Sequence, residues 1–224
     1  MVIKDAFNRV NPNTLADLMR KVGLGAILRG QVPQVLRMKT PAASARVLAT
    51  LQAFALPDDC KAALITRAYA RATAAAGTLG ELAIQAPNAT PADAQIAIAP
   101  NGDIVVLAAS AYEEVDVEFI PSRGDVVVLD GQEVVADQFV IPAQYLARGV
   151  VYLVAAEATV GGATGEKVIL APAGVPAAGQ AALDVAKGLV NFAAADAVTR
   201  CKVTLLVGAL LDLDTVLETT DDTI

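Results

Sequence analysis

Glu114-Val-Asp-Val-Glu-Phe119 alternates a carboxylate with an apolar side chain at every step. Successive side chains on a strand point to opposite faces, so this stretch reads as a half-buried strand with one wet, acidic face. Similar short runs lie on both sides of it. Upstream are Glu81–Gln85, Gln95–Ala99 and Asp103–Ala108; immediately downstream is Asp125–Leu129. Further strand candidates follow at Gln138–Ile141, Gly149–Glu157, Lys167–Ala171, Ala182–Val185, Leu189–Ala193 and Cys201–Val207. Turn residues separate them. Pro100-Asn-Gly-Asp103 is a hairpin turn, because Asn-Gly tolerates positive φ. The fold class expected is mainly β (α+β), with a β-sandwich or jelly-roll-like body over residues 81–224.

The body contains a candidate repeat. Pro91-Ala-Asp-Ala-Gln95 resembles Pro176-Ala-Ala-Gly-Gln180 at an offset of 85. After one inserted residue the offset is 86, where Gly102 matches Gly188, Ala108-Ala109 matches Ala194-Ala195, and Val117 matches Val203. An internal duplication of one β-unit is one explanation. The abundance of alanine makes chance similarity the other.

Residues 1–80 read differently, as an arm with helical segments. Asn13 caps a helix over 13–22 whose Leu15, Leu18, Met19 and Val22 share a face, and Gly23 stops it. A short turn at Ala26–Arg29 ends at Gly30. Pro33 and Pro41 keep Gln31–Pro41 extended, as an arm laid along a surface. Ala45–Leu56 enters a strand before Pro57. The stretch 58–75 has two readings. As a helix, Leu64, Ile65, Ala68, Tyr69 and Ala72 share a face; as a strand, Ile65, Arg67, Tyr69 and Arg71 alternate with their neighbours. Its alanine content and period favour the helix.

Charge follows the same division. Residues 1–79 hold 11 Lys/Arg against 4 Asp/Glu, and residues 80–224 hold 6 against 20. The basic set Lys4, Arg9, Arg20, Lys21, Arg29, Arg37, Lys39 and Arg46 is the candidate anchor onto an acidic protein surface, against the plainer reading of a solvated face. Nucleic acid is a poor fit, because the acidic body would repel it.

Composition removes several chemistries. The chain has no His and no Trp, with only four Tyr and five Phe. That excludes His-based nucleophile pairs and the usual His-containing metal centres, and it leaves few stacking platforms. No cofactor, metal or catalytic residue is expected. Cys60 and Cys201 are expected as free thiols. Met1-Val-Ile-Lys-Asp5 is not the start of a signal peptide and no apolar run reaches membrane length, so synthesis in a cytoplasm without a membrane partner is expected. Gly161-Gly-Ala-Thr-Gly-Glu-Lys167 lacks the spacing of a phosphate loop and reads as a strand-to-strand loop. Arg123-Gly-Asp125 reads as a turn, and Asn88-Ala-Thr90 as an unused sequon. The acids at Glu113–Glu118, Asp212 with Asp214, and Asp221-Asp222 lack a metal-loop spacing.

Leu56-Pro-Asp-Asp59, Ala68-Tyr-Ala-Arg71, Ala97-Ile-Ala-Pro-Asn-Gly-Asp-Ile-Val-Val-Leu107 and Arg123-Gly-Asp-Val126 together resemble small structural proteins of tailed-bacteriophage virions, nearest the capsid decoration or cement class. The resemblance implies a β-rich body on the outside of the head. It also implies attachment to the major capsid protein, many copies as homo-oligomers such as trimers, synthesis in the host cytoplasm, and no catalysis. The alternatives are a tail or connector component, a carboxylate-based cell-envelope hydrolase, and a nucleic-acid packaging factor.

Overall fold

The computed structural model describes residues 34–41, 44–75 and 77–208. The expected helix at 13–22, the turn at 26–29 and the acidic tail lie outside the described residues.

The acidic alternating stretch sits inside a long strand at the centre of a sheet. The first half of the fold contains β1 (Gln34–Lys39), β2 (Leu51–Phe54), β3 (Cys60–Thr73), β4 (Gly80–Glu81), β5 (Ala83–Ile84), β6 (Gln95–Ile98), β7 (Ile104–Leu107) and β8 (Tyr112–Arg123). These make two four-stranded sheets, ordered β1-β8-β3-β4 and β2-β7-β6-β5. Val115, Val117 and Phe119 of β8 are buried beside Ile65, Ile96, Ile104 and Val106 in one core between the sheets. Each such large apolar side chain contributes roughly 1.5–3 kcal/mol on burial.

The second half contains β9 (Asp125–Glu133), β10 (Gln138–Val140), a one-turn helix α1 (Ala143–Leu146), β11 (Val150–Gly161), β12 (Gly165–Glu166), β13 (Val168–Leu170), β14 (Gln180–Asp184), β15 (Leu189–Phe192) and β16 (Val198–Val207). Its sheets run β9-β16-β11-β12 and β10-β15-β14-β13. Strand order is therefore the same in both halves, down to one parallel pair in each, β5 with β6 and β13 with β14. Loop details coincide too. Asn88 N–H donates to Ile98 O at 2.8 Å, and Ala173 N–H donates to Leu183 O at 2.9 Å. Ala111 and Ala197, each closing a 3₁₀ turn, have φ of 46° and 44°. The Asn101-Gly102 hairpin joins β6 to β7, with Ile98 opposite Ile104. Gly102 is required there: its φ is +82°, and a Cβ would lie 2.6 Å from Lys61 Cβ. The parallel pairs depart from an antiparallel jelly roll, so the architecture is two sandwich-like halves.

Residues 60–73 form a strand, which corrects the helical preference of the sequence. Register shifts interrupt its pairing with β8 between Ala62 and Leu64, between Ile65 and Arg67, and again beyond Ala70. The first two bulges each add a residue to β3, so the buried Ala62, Ile65 and Ala68 fall three apart and imitate a helical period. The strand expected at Ala45–Leu56 shortens to Leu51–Phe54, with turns over residues 45–50. The boundary drawn between residues 80 and 81 falls inside β4, which pairs with Tyr69 and Ala70 of β3, and Ala62 to Leu82 share a core with Ile96 to Phe119.

Candidate functional site

Of the expected extended arm, residues 34–39 are β1, a strand of the chain's own sheet paired with β8, and Met38 packs against its core. Arg37 stands opposite Asp116 in that register. Its Nε donates to Asp116 Oδ1 at 2.8 Å and lies 2.9 Å from Glu114. Arg71, from β3 on the other side of β8, donates to Asp116 Oδ2 at 2.6 Å. Asp116 is held below the ordinary carboxylate range by Arg37 first and Arg71 second. The acidic face of Glu114–Phe119 is thus only partly wet, because two guanidinium groups from neighbouring strands cover it.

Arg46 is also paired within the chain. It reaches Asp58 at 3.2 Å and Glu166 of the second half at 2.7 Å. Lys39 is exposed at the end of β1, opposite Glu114. Lys4, Arg9, Arg20, Lys21 and Arg29 lie outside the described residues. Of the expected anchor, then, Arg37 and Arg46 have their charge matched internally and Lys39 faces solvent.

Beside Arg71 opens a groove of about 400 Å³ on the outer face of the first sheet, lined by Val35, Arg67, Tyr69, Arg71, Asp116 and Glu118. Arg71 stacks over the Tyr69 ring, 4.6 Å from its centroid. Val35 is 72% exposed. Cations, a phenol and an apolar edge therefore share one exposed strand surface. The helical reading of 58–75 hid it. Its signal was the alternation of Arg67, Tyr69 and Arg71; Ile65, which begins that alternation in the sequence, is buried in the core instead.

Buried charges occur elsewhere, and each pins backbone. Lys61 Nζ donates to Asp103 Oδ1 and to Leu56 O, both at 2.8 Å. Asp103 accepts from Leu56 N–H at 3.0 Å and from the Asn101 amide at 2.8 Å. In the second half Lys167 Nζ donates to Asp196 Oδ2 at 2.8 Å and to Ala163 O at 3.0 Å, and Gly179 N–H donates to Asp196 Oδ2 at 2.9 Å. Burial opposes the Asp196 charge, yet Lys167 and Gly179 hold its carboxyl below the usual range.

The corresponding place in the first half uses other residues for the same purpose. Ser110 stands where Asp196 stands, and Leu82 where Lys167 stands. Asp93 there accepts hydroxyls from Ser110 at 2.6 Å, Thr78 at 2.7 Å and Tyr112 at 3.0 Å. Those bonds, Ser110's first, hold Asp93 well below the ordinary range. A carboxylate that accepts from three hydroxyls is a clamp on the 78–93 and 108–112 loops. Burial pushes the Cys201 thiol up to about 11, which makes it inert. Among the described residues no three His, Cys, Asp or Glu side chains gather as a metal-holding group. Comparison with protein-family models, with curated proteins and with solved structures returned no match to this chain.

Proposed function

We propose that the protein is a structural component of a phage virion that attaches to the outside of the capsid and stabilises the assembled shell. The observation that carries this is how the chain spends its charge. Its buried ion pairs fasten loops, and its exposed chemistry is the broad amphipathic face around Val35, Arg67, Tyr69 and Arg71. Such a face suits a partner surface, and binding that exists only on the assembled shell stabilises that shell by mass action. The likeness to decoration proteins supplies the partner, a major capsid protein, with the basic N-terminal residues as the electrostatic anchor. We also read the matched topology of the two halves as an internal duplication of one β-unit.

The test is co-sedimentation of the full chain with purified shells that lack it. Binding that weakens as salt rises is expected. Reversal of Lys4, Arg9, Arg20, Lys21, Arg29 and Lys39 to Glu should remove binding with the β-fold intact by circular dichroism. Arg37 and Arg46 stay unchanged, because their reversal would break internal pairs. A folded chain that ignores shells overturns the proposal, and enrichment on tails instead would move the protein to the tail or connector.

A further inference from the structure

Ile84 and Ile169 hold the same place in the two halves. Ile84 pairs in parallel with Ile96, and Ile169 pairs in parallel with Ala181. Yet Ile84 is 41% exposed and Ile169 only 3%. Ile169 packs on its own core, and the first half covers it as well. With Leu170 and Ala171 it closes a cavity of about 180 Å³ against Val47, Leu48 and Val105. Its N–H donates to Arg46 O at 3.0 Å, and Arg46 holds the nearby Glu166 at 2.7 Å. Ile84 is the same strand end without that cover. Glu81, the counterpart of Glu166, is likewise exposed.

The receiving surface is repeated too. In the first half it is the outer face of β2, β6 and β7, through Ala53, Ala99 and Val105, which belong to a small buried cluster with Val47. The same places in the second half are Gln138, Asp184 and Asn191. They line an open cavity of about 310 Å³ together with Val175 and Lys187. The connection from β9 to β10 is residues 134–137, whereas residues 40–50 join β1 to β2 and supply Val47. The second face therefore lacks the segment that helps fill the first. Val175 at its rim is 90% exposed.

We propose that the chain associates with itself head to tail. The open face of one copy's second half receives the Ile84 strand end of the next copy's first half, repeating between chains the contact that joins the halves within one. Among the described residues the chain carries an uncovered strand end and an unfilled face, at the places where the internal joint has both satisfied. Lys187, 73% exposed on the receiving face, already holds Asp184 at 3.2 Å, so an approaching Glu81 would have to share it. Gln138, Asp184 and Asn191 make this face more polar than its internal counterpart, so the contact is weaker and reversible. A head-to-tail contact closes into a ring or extends as a filament. The inference rests on the equivalence of the two halves, not on attachment to a shell.

Sedimentation of the full chain across a wide concentration range tests it. Mass should rise with concentration, and Ile84→Asp should weaken association about tenfold or more with an unchanged circular dichroism spectrum. Ile84→Cys mixed with Val175→Cys should cross-link into heterodimers under oxidation, and both substitutions in one chain should give a ladder; the unsubstituted chain, with Cys60 and Cys201, is the control. A chain monomeric at every concentration overturns the inference, as does association indifferent to Ile84→Asp with no cross-link between the two cysteine variants. Association through Ile84 without shell binding sustains it and defeats the proposed attachment. Shell binding by a permanent monomer does the reverse.

Discussion

Lys61 is 1% exposed and Asp103 2%, and their pair closes the hairpin turn against the start of β3. Desolvation makes such a pair a weak source of net stability, but removing one partner leaves the other charge stranded. Lys61→Met should therefore cost about 3 kcal/mol in urea unfolding, at the low end for an orphaned buried charge, since the Leu56 N–H and the Asn101 amide still serve Asp103. Adding Asp103→Asn to Lys61→Met keeps an acceptor for Leu56 N–H and removes the charge. The double variant should be more stable than Lys61→Met alone, and an equal or lower midpoint would mean the carboxylate is not the source of the loss. The same logic explains why one place can hold Lys167 with Asp196 in one half and Asp93 with three hydroxyls in the other. What is kept is the fastening of a loop to its neighbour, and either chemistry satisfies the buried polar groups.

At the scale of elements, β3 shows what a sequence pattern conceals. The helical reading places Leu64 and Ala68 on one face, whereas the bulged strand buries Ala68 at 1% exposure and leaves Leu64 at 49%. Ala68→Leu should then overpack the core and cost about 1–3 kcal/mol. Leu64→Thr should stay within about 0.5 kcal/mol. Thermal or urea unfolding of the two variants separates the readings, and similar losses from both would favour the helical face. The unbulged pieces were legible. Glu114–Phe119 kept its period of two, and Asn101-Gly102 announced its hairpin. The matched residues Gln95 and Gln180 occupy matched turns, each accepting an N–H from the residue three before it at 2.9 Å. The β3 side of the groove was legible in that alternation, but its β8 side was not, because it depends on Arg71 crossing to Asp116. That pairing spans 45 positions, and local periodicity carries no trace of it.

At the scale of the whole molecule, the charge division was visible in composition, but part of it is consumed inside the fold. Arg37 and Arg71 meet the acids of β8, and Arg46 ties the first half to Glu166. The halves have separate cores. Between them run the Arg46 bridge, the Ile169 N–H bond to Arg46 O, and the Tyr152 hydroxyl donating to Ala62 O at 2.7 Å. Close passage of the backbone adds to the joint, since Gly124 N–H donates to Asp59 O at 3.4 Å and a side chain there would collide with the Val207 carbonyl. Two cores so joined should unfold as one unit only while the joint is worth more than the difference between their own stabilities. Arg46→Ala with Tyr152→Phe removes the polar side-chain part of the joint, leaving both cores and the packing of Ile169 on Val47 and Val105 in place. The unsubstituted chain is expected to melt in one calorimetric transition, with equal calorimetric and van't Hoff enthalpies, and the double variant in two. Two transitions in the unsubstituted chain would show that the halves are already independent. A single transition in the double variant, at a lowered midpoint, would place the coupling in the backbone contacts at Gly124 and Ile169 and in the apolar packing of Ile169.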